Sequence, residues 1–100
     1  MSYYSILDVT PTSEEWIPDY IGPANELVAK YGGKYLARTA SHEQLEGEAK
    51  PAALRIIILW PTREAAVSFI YDAEYAPYLK ARTAGSVSHH YLIEATDDLA

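Results

Sequence analysis

The sequence predicts an α+β fold of the ferredoxin-like class, with the element order βαββαβ and a four-stranded antiparallel sheet. Four short segments rich in β-branched, aliphatic and aromatic residues have the composition of strands. Helical periodicity separates the first strand from the second, and the third from the fourth. The 100 residues are enough for one domain, spanning residues 1–100. In this plan the first and third strands are central, and the helices cover one face of the sheet.

Composition and charge exclude several classes of function. Hydrophobic residues make up 49% of the chain and charged residues 22%, as in folded globular proteins. The absence of cysteine excludes disulfides and thiolate metal sites. The net charge of -6 and the dispersed basic residues predict no binding to nucleic acid. No apolar run approaches the roughly 20 residues of a membrane helix, and Met1 to Tyr4 lack the basic start of a signal peptide. We therefore expect a cytoplasmic protein with no membrane partner.

The strand signals are short apolar runs that end at proline, glycine or polar residues. In the second strand, strict alternation places Arg38 on the face of Leu36 and opposite Tyr35. In the fourth strand it places His89 and His90 on opposite faces, so the two cannot bind one metal ion together. The predicted strands are Tyr3–Val9, Lys34–Ala40, Ala53–Trp60 and Ser86–Ala95.

Capping signals and glycines locate the first helix. Thr12 and Glu15 form a capping box, which predicts that the helix begins there. Apolar residues then recur at spacings of three and four until the glycine pair at positions 32 and 33. Pro18 and Pro23 lack amide donors, so we expect the helix to kink or restart near one of them.

The second helical segment is predicted as two short helices. Thr62 caps the first of them. Asp72 is predicted to cap the next, which ends at Gly85. This second short helix carries Tyr75 and Arg82 along one face.

The third strand is apolar on both faces, with Ile57 and Leu59 on one and Ile56, Ile58 and Trp60 on the other. The helices can cover only one of these faces. Leaving the other face in water would forfeit several of the roughly 5–15 kcal/mol that stabilise a typical domain. The pattern therefore predicts a homodimer in which two sheets pack together.

Several short motifs occur in order along nearly the whole chain: Tyr4-x-Ile6-x-Asp8-Val9, Lys30-Tyr31-Gly32-Gly33-Lys34-Tyr35-Leu36, Leu45-Glu46-Gly47, Trp60-Pro61-Thr62, Phe69-Ile70-Tyr71-Asp72-x-Glu74-Tyr75 and Leu79-x-x-Arg82. Together they resemble the small bacterial family known as domain of unknown function 1330, of the dimeric α+β barrel superfamily. The resemblance implies a homodimer of ferredoxin-like subunits whose sheets form a shared barrel. It implies no activity, because the family has none assigned, although neighbouring families include cofactor-independent monooxygenases, cyclases, lactone isomerases and haem-degrading enzymes. The chain departs from the family pattern at Gly22-Pro23 and Ile70–Ala73.

The candidate catalytic residues are His42, Glu46 and Tyr75. His42 and Glu46 lie four residues apart in the polar loop 41–51, and a loop beside a sheet often carries a general acid or base. The Leu45-Glu46-Gly47 motif favours Glu46 of the two. The alternative is a solvated loop with incidental charge. Tyr75 supplies a hydroxyl donor.

The candidate substrate-binding residues are Arg38, Arg82 and His89. An arginine beside tyrosines can bind a carboxylate or an enolate through two hydrogen bonds. The alternative for Arg82 is a structural ion pair with one of the fourteen acidic residues. His89 shares a strand face with Tyr91. We expect these groups to meet in the cleft between the sheet and the second helical segment, with the loop reaching in.

Two classes of function remain. The first is a cofactor-independent enzyme that acts on a small organic acid or ketone by acid–base catalysis. The alternative is a non-catalytic homodimer that binds a small ligand or is structural. No phosphate loop, GxGxxG motif, Ser-His-Asp order or metal-ligand spacing is present, so neither a metal nor a cofactor is predicted.

Overall fold

The computed structural model describes all 100 residues and has the predicted α+β ferredoxin-like fold. The second helical segment is divided in two, as the sequence indicated. No helix has both the length and the apolar character that crossing a bilayer would require. In chain order the elements are β1 (Tyr3–Pro11), α1 (Ile17–Lys30), β2 (Lys34–Thr39), β3 (Leu54–Trp60), α2 (Arg63–Ile70), α3 (Ala76–Ala84) and β4 (Ser86–Glu94).

The sheet has the order β2-β3-β1-β4, and every neighbouring pair is antiparallel. The prediction that the first and third strands are central is confirmed. All three helices lie on one face, where Leu7 of β1 and Trp60 of β3 pack against Val28 of α1 and Phe69 of α2. Trp60 is fully buried, and its indole Nε1 donates a 2.7 Å hydrogen bond to Ser5 Oγ on β1.

The strand boundaries are close to those predicted from the sequence. β1 continues through Pro11, which pairs with Ser86. Proline is tolerated there because the last residue of a strand need not donate to the ladder. The segment between β2 and β3 forms no strand, and the turn after α1 uses Gly32 at φ 76°, a left-handed conformation that glycine adopts without strain.

The predicted capping box at the first helix does not form. α1 begins only at Ile17, and Pro18 lies in its first turn, where a missing amide donor is harmless. The backbone N–H groups of Thr12 and Ser13 instead donate to the carbonyl oxygen of Gly85, at 2.8 and 3.2 Å. A carbonyl from a distant part of the chain therefore takes the Thr12 N–H that the capping box assigned to the Glu15 side chain.

Asp72 likewise does not cap α3, whose N-cap residue is Tyr75. Asp72 Oδ1 accepts from the backbone N–H of Glu74 at 2.7 Å, which forms a turn before the helix. Its Oδ2 accepts from the Tyr31 hydroxyl and from Lys30 Nζ. Asp72 therefore joins the turn between α2 and α3 to the end of α1.

The face of the sheet that points away from the helices is largely apolar and has no cover; we call it the open face. On this face Asp8 of β1 pairs with Arg55 of β3 on one side and with His89 of β4 on the other. The neighbouring cross-strand pairs on the same face are apolar. Tyr91 is 63% exposed and Ile57 is 37% exposed. The apolar side chains of the open face are Tyr4, Ile6, Ile57, Leu59, Val87, Tyr91 and Ile93.

Candidate functional site

A cavity of about 400 Å³ lies between the helix-facing side of the sheet and the three helices; we call it the cleft. Its walls are mostly apolar, and no aspartate or glutamate lines it. Its volume is within the range of about 300–1,000 Å³ that small-molecule sites occupy. The polar side chains that line it are Trp16, Tyr20, Tyr35, Arg38, Tyr75, Arg82 and His90.

Two of the lining tyrosines form a pair. The hydroxyl oxygens of Tyr20 on α1 and Tyr75 at the start of α3 lie 2.5 Å apart. The Tyr75 ring is held by Phe69, with ring centroids 4.2 Å apart. Burial, and then the neighbouring Tyr75, raises the pKa of Tyr20 well above its ordinary value, so this phenol stays protonated at neutral pH. Because one hydroxyl proton is used within the pair, the other is free to be donated to a ligand.

His90 of β4 also lines the cleft. Its Nε2 lies 2.7 Å from Ser5 Oγ, the atom that accepts the Trp60 indole hydrogen bond. Burial, followed by the charge of Arg82, lowers the pKa of His90 to about 4. His90 is therefore a neutral imidazole at pH 7. Its Nδ1 has no protein partner and can donate or accept a proton according to the tautomer.

Arg82 is a buried cation without a carboxylate partner. Its side chain is 5% exposed, and Nη1 donates to Ser88 Oγ at 2.8 Å. The buried Nε–H has no acceptor. Lys30 forms an ion pair with Asp72, and His89 contacts Asp8. Arg82 contacts no carboxylate, so the structural ion pair considered for it does not form.

Arg38 reaches the cleft because β2 is irregular. A register shift after Tyr35 makes both Tyr35 and Arg38 pair with helix-facing residues of β3. The prediction that these two side chains lie on opposite faces is therefore wrong, since a β-bulge breaks the alternation. The Arg38 guanidinium lies 3.9 Å from the Tyr35 ring centroid and donates to Asn25 Oδ1 at 2.7 Å. Arg38 is exposed at the mouth of the cleft.

His42 and Glu46 lie outside the cleft, contrary to the expectation that their loop reaches into it. Both are exposed. The loop folds on itself because Gln44 Nε2 donates to the carbonyl oxygens of Glu46 and Glu48. His42 Nδ1 accepts from Arg55 Nε at 3.4 Å, on the side of the open face.

His89 also lies outside the cleft, because it points to the open face. Its Nδ1 is 2.8 Å from Asp8 Oδ1. The alternation in β4 that separates the two histidines is confirmed. Both faces of β4 carry apolar residues, so the pattern does not indicate which histidine faces the helices. In the structure His90 faces the helices together with Leu92, which packs against the core.

Tyr20, like His90, lines the cleft without having been a candidate from the sequence. In the sequence, its position on the apolar face of the first helix indicates ordinary packing in the core. Trp16 lies one turn before it, and their rings are in T-shaped contact at 5.3 Å. The hydroxyl of Tyr20 becomes notable only when α3 brings Tyr75 against it.

These features define an α+β ferredoxin-like protein with a buried cation, a tyrosine pair and a neutral histidine around one cleft. The chain belongs to the family described as Domain of unknown function (DUF1330), which it matches over residues 2–96. The resemblance noted from its motifs is confirmed. No curated protein matches the sequence significantly.

Solved structures share the fold at low sequence identity. RPA0582, a protein of unknown function from Rhodopseudomonas palustris, aligns with a TM-score of 0.78 and 18% identity over 96% of this chain and 83% of that chain. SnoaB, a cofactor-independent oxygenase from Streptomyces nogalater, aligns with a TM-score of 0.57 and 18% identity over 98% and 94%. A protein described as an antibiotic biosynthesis monooxygenase aligns with a TM-score of 0.52 and 17% identity over 97% and 100%. These similarities concern the fold alone.

Proposed function

We propose that the protein is a cofactor-independent enzyme that transfers a proton from a small organic acid or ketone bound in the cleft. The observation that carries the proposal is convergence. The buried Arg82, the Tyr20–Tyr75 pair and the neutral His90 line one largely apolar cavity. Such groups polarise a carbonyl, accept an α-proton and stabilise the enolate that results.

Each group has a distinct role in this proposal. The free hydroxyl of the tyrosine pair and the Arg82 guanidinium donate to the oxygen on which negative charge develops. His90 accepts the α-proton at Nδ1, in the tautomer whose Nε2–H is donated to Ser5. The electron pair of the broken C–H bond moves into the enolate, and the proton stays on His90 until it is returned.

His90 takes the role that the sequence analysis assigned to Glu46 and His42. The reason is that no carboxylate lines the cleft, whereas His90 is unprotonated at pH 7 and has a nitrogen without a protein partner. The description of SnoaB as a cofactor-independent oxygenase supports chemistry of this general kind on the fold, as an analogy.

The test is proton exchange in D2O. Enolisable ketones and arylacetates are incubated with the protein, and loss of the α-proton signal is followed by 1H NMR. We expect exchange about 10²-fold or more faster than in buffer for at least one compound, because general acid–base groups contribute about that much. His90→Gln and Tyr75→Phe should each lower the rate at least tenfold, whereas Tyr71→Phe, at an exposed position, should not.

The alternative is a non-catalytic ligand-binding protein with the same cleft. It makes a different prediction in the same experiment. Ligands would bind and raise the melting temperature, but no compound would exchange faster than in buffer. That result would replace the enzymatic proposal with the binding one.

We also propose that the protein is a homodimer in which two open faces pack together. The support is the apolar open face, on which Ile57, Tyr91 and Ile93 are exposed in a single chain. Contiguous apolar surface of this kind marks an interface more often than a free surface. The cleft is on the other side of the sheet, so dimerisation leaves it accessible.

A further inference from the structure

The cleft contains a buried guanidinium with unused hydrogen-bond donors. Of the Arg82 nitrogens, only Nη1 has a partner, the hydroxyl of Ser88. The Nε–H is buried and unpaired, and no protein acceptor is bonded to Nη2. Nε and Nη2 lie on the same edge of a guanidinium, and this edge is the fork that binds both oxygens of a carboxylate side by side.

The surroundings of Arg82 supply no negative charge. The groups of the cleft whose pKa values the charge of Arg82 affects are the phenols of Tyr20 and Tyr35 and the imidazole of His90, all neutral at pH 7. A buried charge without a partner is costly, so proteins pair such charges or keep them for a ligand. The cleft has more hydrogen-bond donors than acceptors and no carboxylate of its own, so the ligand that complements it is an anion.

The rest of the cleft limits which anion fits. A phosphate or dicarboxylate carries more charge than a single arginine offsets. The second cation, Arg38, is at the mouth, where it stacks on Tyr35 and is bonded to Asn25. The remaining walls are apolar, including Leu7, Ile56 and other aliphatic side chains. A ligand that matches all of this has one carboxylate and an apolar body.

We propose that the cleft binds a monocarboxylate with an apolar or aromatic body, whose two carboxylate oxygens accept hydrogen bonds from Nε and Nη2 of Arg82. This inference rests on the proposed function, since it names the substrate class of the same cleft. The carboxylate is thereby fixed at Arg82, and the body extends along the apolar walls towards the mouth.

The experiment compares phenylacetate and 3-phenylpropanoate with their amides, which have the same shape without the charge. Calorimetry and thermal shift are measured on the wild type, on Arg82→Lys and Arg82→Met, and on the control Arg63→Met, which alters an exposed arginine of α2. We expect the carboxylates to bind the wild type and Arg63→Met equally. Arg82→Met should bind them roughly 10- to 100-fold more weakly. Arg82→Lys, which keeps the charge but lacks the fork, should have an affinity between those of the wild type and Arg82→Met.

A measurement on the wild type keeps the proposal testable if the Arg82 variants do not fold. In 15N-labelled protein, the Arg82 Nε–H resonance should move on addition of phenylacetate and stay in place on addition of phenylacetamide. Equal binding of acid and amide, binding of neither, or equal response to inorganic phosphate would overturn the proposal. Carboxylate binding without proton exchange would leave it intact and refute the enzymatic proposal. Exchange of neutral ketones without carboxylate binding would refute the carboxylate proposal and leave the enzymatic proposal intact.

Discussion

The indole Nε1 of Trp16 donates a 3.0 Å hydrogen bond to the carbonyl oxygen of Gly85, although the two residues are 69 positions apart. The same carbonyl accepts the backbone N–H groups of Thr12 and Ser13. This oxygen therefore fixes the segment before α1 against the turn before β4. Because Trp16 lines the cleft, the contact also fixes the position of one of its walls.

Gly85→Ala should destabilise the protein and loosen the Trp16 wall. A methyl group at this position would overlap the Trp16 ring and approach the carbonyl oxygen of Ala81 to 3.0 Å. We expect a loss of about 1–3 kcal/mol in the free energy of unfolding, measured by urea denaturation. Gly22→Ala is the matched control, since its methyl would meet no atom within 4 Å outside the adjacent residues. The better helix propensity of alanine, about 0.5–1 kcal/mol, is opposed by the contact of its Cβ with the ring of Pro23, so the free energy of unfolding should change by less than about 1 kcal/mol. Equal stability of the two variants would contradict the steric explanation.

Stability should fall in mild acid because of His90. The pKa of His90 is lowered from 6.5 to about 4 by burial and by Arg82, so the unfolded chain binds this proton more readily than the folded protein does. The resulting loss in the free energy of unfolding begins as the pH drops below about 6.5 and levels off below about 4. We expect it to reach on the order of 2 kcal/mol between pH 7 and pH 4.

This effect is isolated by comparing urea midpoints at the two pH values for the wild type and His90→Gln. The variant should lose less stability on acidification than the wild type. His42→Gln, at an exposed loop position, should keep the wild-type profile. If His90→Gln and the wild type lose stability equally, the histidine is not held neutral by its surroundings.

A bound carboxylate should raise the pKa of His90. The charge of Arg82 is the second cause of the low value, after burial, and an anion on the guanidinium would offset that charge. NMR titration of the His90 ring with and without saturating phenylacetate measures the effect. We expect an upward shift, and by linkage the carboxylate should bind more tightly as the pH falls towards that pKa. An unchanged pKa would place the ligand away from Arg82.

The oligomeric state tests the open face. Light scattering on the wild type should give about twice the chain mass of 11.1 kDa. Ile57→Glu and Tyr91→Glu introduce charge into the centre of the open face and should each shift the mass towards that of one chain. Tyr71→Glu, at an 82% exposed position on α2's end, should leave the mass unchanged. A wild type that is monomeric at micromolar concentration would remove the dimer proposal.

The sequence determined the architecture, because its signals are local or periodic. Strand composition, helical spacing and glycine turns depend on residues close together in the chain, and they identified the order of elements and the two central strands. The two apolar faces of β3 were also readable, and the structure divides them as predicted, with Trp60 towards the helices and Ile57 on the open face. The family could be identified for the same reason, since its motifs are short and lie in order along the chain.

Tertiary structure decided the composition of the cleft and the starts of two helices. The donors of Thr12 and Ser13 are taken by a carbonyl near the other end of the chain, and a bulge in β2 turns Arg38 towards the helices. Which of two adjacent histidines faces inward depends on which side of the sheet the helices cover. Tyr20 meets Tyr75, and Arg82 remains without a carboxylate, only because packing brings some side chains together and keeps all acidic ones out. Such contacts join residues far apart in the chain, so no local pattern in the sequence encodes them.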